Sequence, residues 1–145
     1  MMSSQYALIV SDFNSEITHA LLKGAQEELK KHYIPDTATR IYHVPGAVEI
    51  PLAAAWCAKT KKADAIICLG AVIQGDTDHY QYVCQQVSYG CQKVMLTYHI
   101  PVIFGVLTVQ KEEQAIARIG GSHGHKGREA ALAAIQMVQL AKTFR

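Results

Sequence analysis

Apolar residues are distributed along this chain in two alternating rhythms. Three runs have no helical period: Tyr6 to Val10, Ile66 to Ile73 and Val102 to Val109. Each has the length of a strand covered on both faces. A shorter run, Arg40 to Val44, also reads as a strand. Between the runs, apolar positions recur every three or four residues, which lines one face of a helix. One such stripe is Ile17, Leu21, Ala25, Leu29 and Tyr33, and another Val83, Val87, Cys91, Val94 and Tyr98; between them a second helix is expected to run through Leu52, Ala55, Trp56 and Ala58. Glu112 to Ile119 is also predicted helical, and Arg128 to Phe144 forms a last helix with an alanine-rich face.

The punctuation between these segments agrees with them. Asn14 or Ser15 can cap the first helix, Pro35-Asp36 marks a turn, and Pro45-Gly46 breaks the second strand. Pro51 falls in a first helical turn, where its missing N–H costs little. His99-Ile100-Pro101 closes the third helix, and Gly120 to Gly124 is expected to be a flexible break. Strand and helix alternate four times, with one helix to spare. That order predicts an α/β fold in which helices cover both faces of a parallel sheet through right-handed crossovers. With no repeat, linker or low-complexity tract, residues 1–145 are expected to form a single domain.

Ligands in such folds bind outside the carboxyl ends of the strands. The polar breaks fall there: Asp12-Phe13-Asn14, Pro45-Gly46, and Gln74 to His79. The last is the richest. Gly70 and Gly75 are expected to permit close backbone approach and unusual dihedrals. Of the cap types Asp76, Thr77 and Asp78, Thr77 is the expected N-cap. His79 lies four residues before Val83, so it is expected on the inward stripe, in the first turn of its helix. A neutral imidazole there is fit to exchange protons, or equally to sit buried against a carbonyl.

Composition removes several classes of function. A net charge of +2 argues against a nucleic-acid partner, and no apolar run approaches the length of a signal peptide or membrane span. Cys57, Cys68, Cys84 and Cys91 form no C-x-x-C pair and fall at apolar positions, which fits free thiols in a reducing cytosol.

Other candidate residues admit two readings each. Phe13 is a stacking platform for a flat heterocycle or a plug over the core, and Phe104 is core or a ligand contact. Glu49 complements a helix dipole or accepts hydrogen bonds from a ring N–H. The N–H groups of Gly75-Asp76-Thr77 offer donors to an anion, for which Arg118 and Lys126 can supply a cation. His123-Gly124-His125 lacks a third ligand, and no metal site is expected from it.

The segments P-G-A-V-E-I-P (45–51), L-G-A-V-I-Q-G-D-T-D-H-Y-Q-Y-V (69–83) and P-V-I-F-G-V (101–106) together closely resemble lumazine synthase. V-S-D-F-N (10–14), Arg118 and H-K-G (125–127) fall in that family's order. The resemblance implies a flavodoxin-like three-layer α/β/α sandwich with a four-stranded parallel sheet. It implies condensation of 5-amino-6-(D-ribitylamino)uracil with 3,4-dihydroxy-2-butanone 4-phosphate, a step of riboflavin biosynthesis that needs no metal or redox cofactor. It also implies a cytoplasmic homo-oligomer, at least a pentamer, with each site between neighbouring subunits. By the same resemblance, Phe13 stacks on the pyrimidinedione beside Asn14. Ala47, Val48, Glu49, Ala71, Val72 and Ile73 border the ring and ribityl groups. Asp76 and Thr77 meet the phosphate, and His79 transfers protons. Phe104 and Arg118 reach in from the adjacent subunit, Arg118 binding phosphate with Lys126 as a second cation. Gln74 stands where arginine is frequent in the family, and Asp76 where a small residue is. The alternative on this scaffold is a non-catalytic shell protein that binds lumazine or flavin.

Overall fold

A computed structural model of the chain describes residues 3–145. Four strands form a parallel sheet in the order β2-β1-β3-β4: β1 (Tyr6–Ser11), β2 (Thr39–Val44), β3 (Ala65–Ile73) and β4 (Val102–Val109). The register runs Tyr6 opposite Ala65 in the centre and Ile66 opposite Val102 toward the β4 edge. Strands β1 and β3 are central and almost wholly buried, which is why both appear as unbroken apolar runs.

Alternate residues of each strand supply opposite layers. Leu8, Val10, Ile67 and Leu69 face α1 (Ser15–Lys31) and α5 (Lys126–Lys142), meeting Leu21, Leu29, Ala131 and Ala134. Ala7, Ile9, Ile66 and Cys68 face α2 (Ile50–Thr60) and α3 (His79–Tyr98), meeting Ile50, Ala54, Val87 and Cys91. The result is the flavodoxin-like three-layer α/β/α arrangement that the alternating pattern and the family resemblance called for. No helix among the described residues is long and apolar enough to cross a membrane.

Several local expectations are corrected. Helix α1 stops at Lys31; Tyr33 has a left-handed φ of 63° and is 94% exposed, so it ends the turn instead of the stripe. Helix α4 covers only Glu112–Ile116. The expected flexible break is an antiparallel hairpin of β5 (Ile119–Gly121) and β6 (Gly124–His125). Strands of two or three residues are too short to carry a period. Helix α5 begins at Lys126 and ends at Lys142, two residues before each expected boundary. Its start is set by His125, whose Nδ1 accepts hydrogen bonds from the Gly127 and Arg128 N–H groups at 3.2 and 3.3 Å. The His125 ring packs onto Gly24 of α1, and Gly127 lies against the Leu21 carbonyl, so a side chain at either glycine would force the two helices apart.

Candidate active site

Strand order reverses between β1 and β3, since the chain leaves β1 toward β2 on one side and later adds β3 and β4 on the other. The crevice at the carboxyl ends of these two strands is the expected binding position. Backbone bonds carry the β1–β2 ladder past its last residues: the Asp12 N–H donates to the Val44 carbonyl at 2.8 Å, and the Phe13 N–H to the Pro45 carbonyl at 3.0 Å. Asn14 occupies the N-cap position of α1 with a left-handed φ of 63° and caps nothing with its side chain. Its Nδ2 instead donates to the Ala71 carbonyl of β3 at 3.0 Å. These bonds clamp the Phe13 backbone while its ring stands 71% exposed. An aromatic plug over the core would be buried, and this ring is not.

Ala47–Glu49 forms a single 3-10 turn, closed by Glu49 Oε1 accepting from the Gly46 N–H at 2.9 Å. The carboxylate is half-buried, and its remaining lone pairs can serve a ligand. Ala47, Ala71 and Val72 are buried, whereas Val48 and Ile73 are half-buried. Gly70 allows the close packing beneath this wall. A Cβ there would stand 3.0 Å from both Ile50 Cδ1 and Ser11 Oγ, so glycine lets the first residue of α2 seat on β3. Gly75 does not behave as expected: nothing lies within 4 Å of where its Cβ would be, and its φ is not positive.

The loop from Gln74 to Asp78 is exposed throughout, with the Gln74 N–H anchored to the Val109 carbonyl at 2.9 Å. Asp78, not Thr77, holds the N-cap position of α3, and Thr77 Oγ1 accepts from the His79 N–H at 3.3 Å. The N–H groups of Gly75, Asp76 and Thr77 meet no acceptor among the described residues. His79 heads the helix but is exposed, contrary to the inward placement. Its stripe is buried only at Val87, Cys91 and Val94; it is half-buried at Val83 and exposed at both ends, His79 and Tyr98.

A second group gathers at the β4 edge. A cavity of about 290 Å³ lies between Thr108 and Val109 of β4 and the side chains of Arg118, His123, Lys126 and Glu129. Arg118 and Lys126 are joined through the backbone, the Lys126 N–H donating to the Arg118 carbonyl at 2.8 Å. Arg118 Nη1 also donates to the Gln114 carbonyl at 2.7 Å, which steadies the guanidinium over the end of α4. Neither Phe13 nor His79 lines this cavity. Phe104, expected within a fully covered strand, is half-buried on the α2/α3 face of edge strand β4. Within this chain the Phe13 wall and the cationic pocket are therefore separate.

Two features of this end of the sheet escape sequence reasoning. The H-G-H spelling does not separate His123 from His125, yet the first lines the cationic cavity and the second caps α5. Asp12, His19 and His43 converge beside the Phe13 loop. They are up to 31 residues apart in sequence, and no short motif announces them.

A parallel sheet whose carboxyl ends carry an exposed aromatic, an open helix-mouth loop and a basic pocket places the chain in the class of three-layer α/β proteins. The chain matches the family model for 6,7-dimethyl-8-ribityllumazine synthase over residues 3–142. It is 52% identical to the 6,7-dimethyl-8-ribityllumazine synthase of Coxiella burnetii strain Dugway 5J108-111 over 140 residues, covering 97% of this chain and 93% of that protein. The protein of the same name from Coxiella burnetii strain RSA 493 / Nine Mile phase I is 51% identical over the same shares. The chain belongs to the 6,7-dimethyl-8-ribityllumazine synthase family, enzymes of riboflavin biosynthesis.

Proposed function

We propose that this protein condenses 5-amino-6-(D-ribitylamino)uracil with 3,4-dihydroxy-2-butanone 4-phosphate, releasing 6,7-dimethyl-8-ribityllumazine, phosphate and water. The observation that carries the reading is the clamped, outward-facing Phe13 ring, tied to β3 through Asn14 and the Ala71 carbonyl. The flat pyrimidinedione stacks there, with Ala47, Val48, Glu49, Ala71, Val72 and Ile73 as the wall of its slot. Free N–H groups at Gly75 to Thr77 receive the phosphate, and Arg118 with Lys126 neutralises it. His79 exchanges protons as the amine adds to the ketone and phosphate departs.

The ring-binding wall and the cationic pocket lie apart within one protomer, which supports a site completed by Phe104 and Arg118 of a neighbouring copy. An apolar surface supports the same assembly. Tyr82, Tyr89 and Leu96 recur every seven residues on the exposed face of α3, and Leu52 and Trp56 stand one turn apart on α2. On this reading the protein is a homo-oligomer, at least a pentamer as the family resemblance implies, and acts in the cytoplasm. Two core layers that back onto a shared sheet support one domain per chain.

Mixing both substrates with the purified protein tests the activity directly. Appearance of lumazine fluorescence, faster than in buffer, is expected. Tight riboflavin binding with no turnover would mark a non-catalytic shell protein instead.

A further inference from the structure

We propose that Asp12, His19 and His43 form a binding site for a divalent transition-metal cation of the zinc type, outside the substrate slot. The three side chains come from three segments: Asp12 from the end of β1, His19 from the first turns of α1, and His43 from β2. Backbone bonds from Asp12 to Val44 and from Phe13 to Pro45 set the spacing between the carboxylate and β2. One donor atom from each residue lies within 4.8 Å of the other two.

Hydrogen bonding accounts for only part of this convergence. His43 Nδ1 is 2.9 Å from Asp12 Oδ1 and can bond it outright. His19 Nε2 points at the same oxygen from 3.9 Å, beyond hydrogen-bond reach. Donor atoms that share one tetrahedral zinc ion stand roughly 3.3 Å apart, given metal–ligand bonds of about 2.0–2.1 Å. The observed separations bracket that spacing, and small side-chain rotations close the difference. The imidazole rings meet edge to face, 6.1 Å between centroids at 87°. All three side chains are about half exposed, between 48% and 57%, which provides an entry path and leaves coordination positions for water.

Two neutral imidazoles and one carboxylate suit a borderline-soft cation and discriminate against calcium or magnesium, which prefer oxygen. Bound there, the ion would fasten the Phe13 loop to both α1 and β2. Its role is positional, and the condensation does not depend on it.

The intact assembled protein, stripped with a chelator, is titrated with Co²⁺ by visible absorption and with Zn²⁺ by calorimetry. One ion per chain is expected, with Zn²⁺ displacing Co²⁺ and raising the thermal midpoint. Asp12→Asn, His19→Gln and His43→Gln should each weaken Zn²⁺ binding by at least about 10-fold, since loss even of an outer-shell partner costs about 10–100-fold. His123→Gln should leave binding unchanged. Circular dichroism confirms that each variant folds; His19→Gln decides the matter should the others not, because that ring makes no close bond. Absence of stoichiometric binding would overturn the proposal. So would an affinity indifferent to His19 and His43 or sensitive to His123, and the cluster would then be a hydrogen-bonded surface group.

Discussion

The tasks proposed for Phe13, His79 and Arg118 are separable, and each can be tested by removing its side chain. Stacking of a flat ring on an aromatic is worth about 1–3 kcal/mol. Phe13→Ala should therefore raise KM for the uracil roughly 5–150-fold while changing that for the butanone phosphate far less. Equal increases would count against stacking. A charge-assisted contact contributes about 1.5–3 kcal/mol, so Arg118→Ala should raise KM for the phosphorylated substrate about 10–150-fold, and an unaltered value would refute its role. Proton transfer by a positioned side chain supplies about 10²–10⁴-fold, and holding two reactants together supplies up to roughly 7–11 kcal/mol. His79→Ala should slow single-turnover formation of product within that range yet leave it well above the rate in buffer. An inert variant would mean that orientation contributes little. Phe13 and His79 are legible in the sequence because each falls at a strand end or helix start, where polar or aromatic side chains interrupt an apolar rhythm; Arg118 lies in a stretch read as helical, and only the family resemblance singles it out for phosphate. The exposure of His79 is not legible there, because a helical stripe does not say where the sheet beneath it stops.

Elements in this fold are fastened to one another by side chains that a linear pattern does not reveal. The Asn14–Ala71 bond spans 57 residues, and Asn14 also occupies the left-handed region. Asn14→Gly should lose only the bond, about 0.5–1.5 kcal/mol of stability, whereas Asn14→Ala should add about 1–2 kcal/mol for its backbone conformation. Chemical denaturation of the two variants distinguishes the contributions, and equal losses would show that the dihedral is not strained. Against the middle of α1, His125 caps α5 as a neutral acceptor. Burial, aided by the nearby Arg128 guanidinium, pushes its pKa below the ordinary 6.5. The unfolded chain then takes up the proton more readily than the folded one. Stability from this cap should be complete above pH 6.5 and decline as pH falls through the folded-state value. His125→Asn keeps a capping oxygen without the titration, so its stability relative to the native protein should improve as the solution is acidified. A constant difference across that range would exclude the cap as the source. Strands and long helices are readable because burial on two faces or one imposes a period. The β5–β6 hairpin and the start of α5 are not, since they depend on two glycines with positive φ and on a histidine ring lodged against another helix.

For the whole molecule, the alternating order of elements is enough to anticipate a parallel sheet with two helical layers, because right-handed crossovers leave few other arrangements. Within one chain the Phe13 wall and the cationic pocket stay apart, so the proposed site needs a neighbouring copy. If α3 forms the contact between copies, Tyr89→Glu places a charge in an apolar seam. It should lower both the mass measured by light scattering and the specific activity, while the protomer stays folded. Full activity in a monomeric variant would place the complete site within one chain.

The packing of α5 against α1 has a consequence for how the protein is made. Helix α1 leaves the ribosome early, but Ala130, Ala131, Ala134, Ile135 and Val138, which cover its layer of the sheet, are translated last. Through most of synthesis Leu21, Leu29, Ile67 and Leu69 lack their final cover, and a nascent chain paused before α5 presents a greasy flank to chaperones. Premature stops within this final helix should therefore yield insoluble product even though every residue of the proposed substrate slot has already been built.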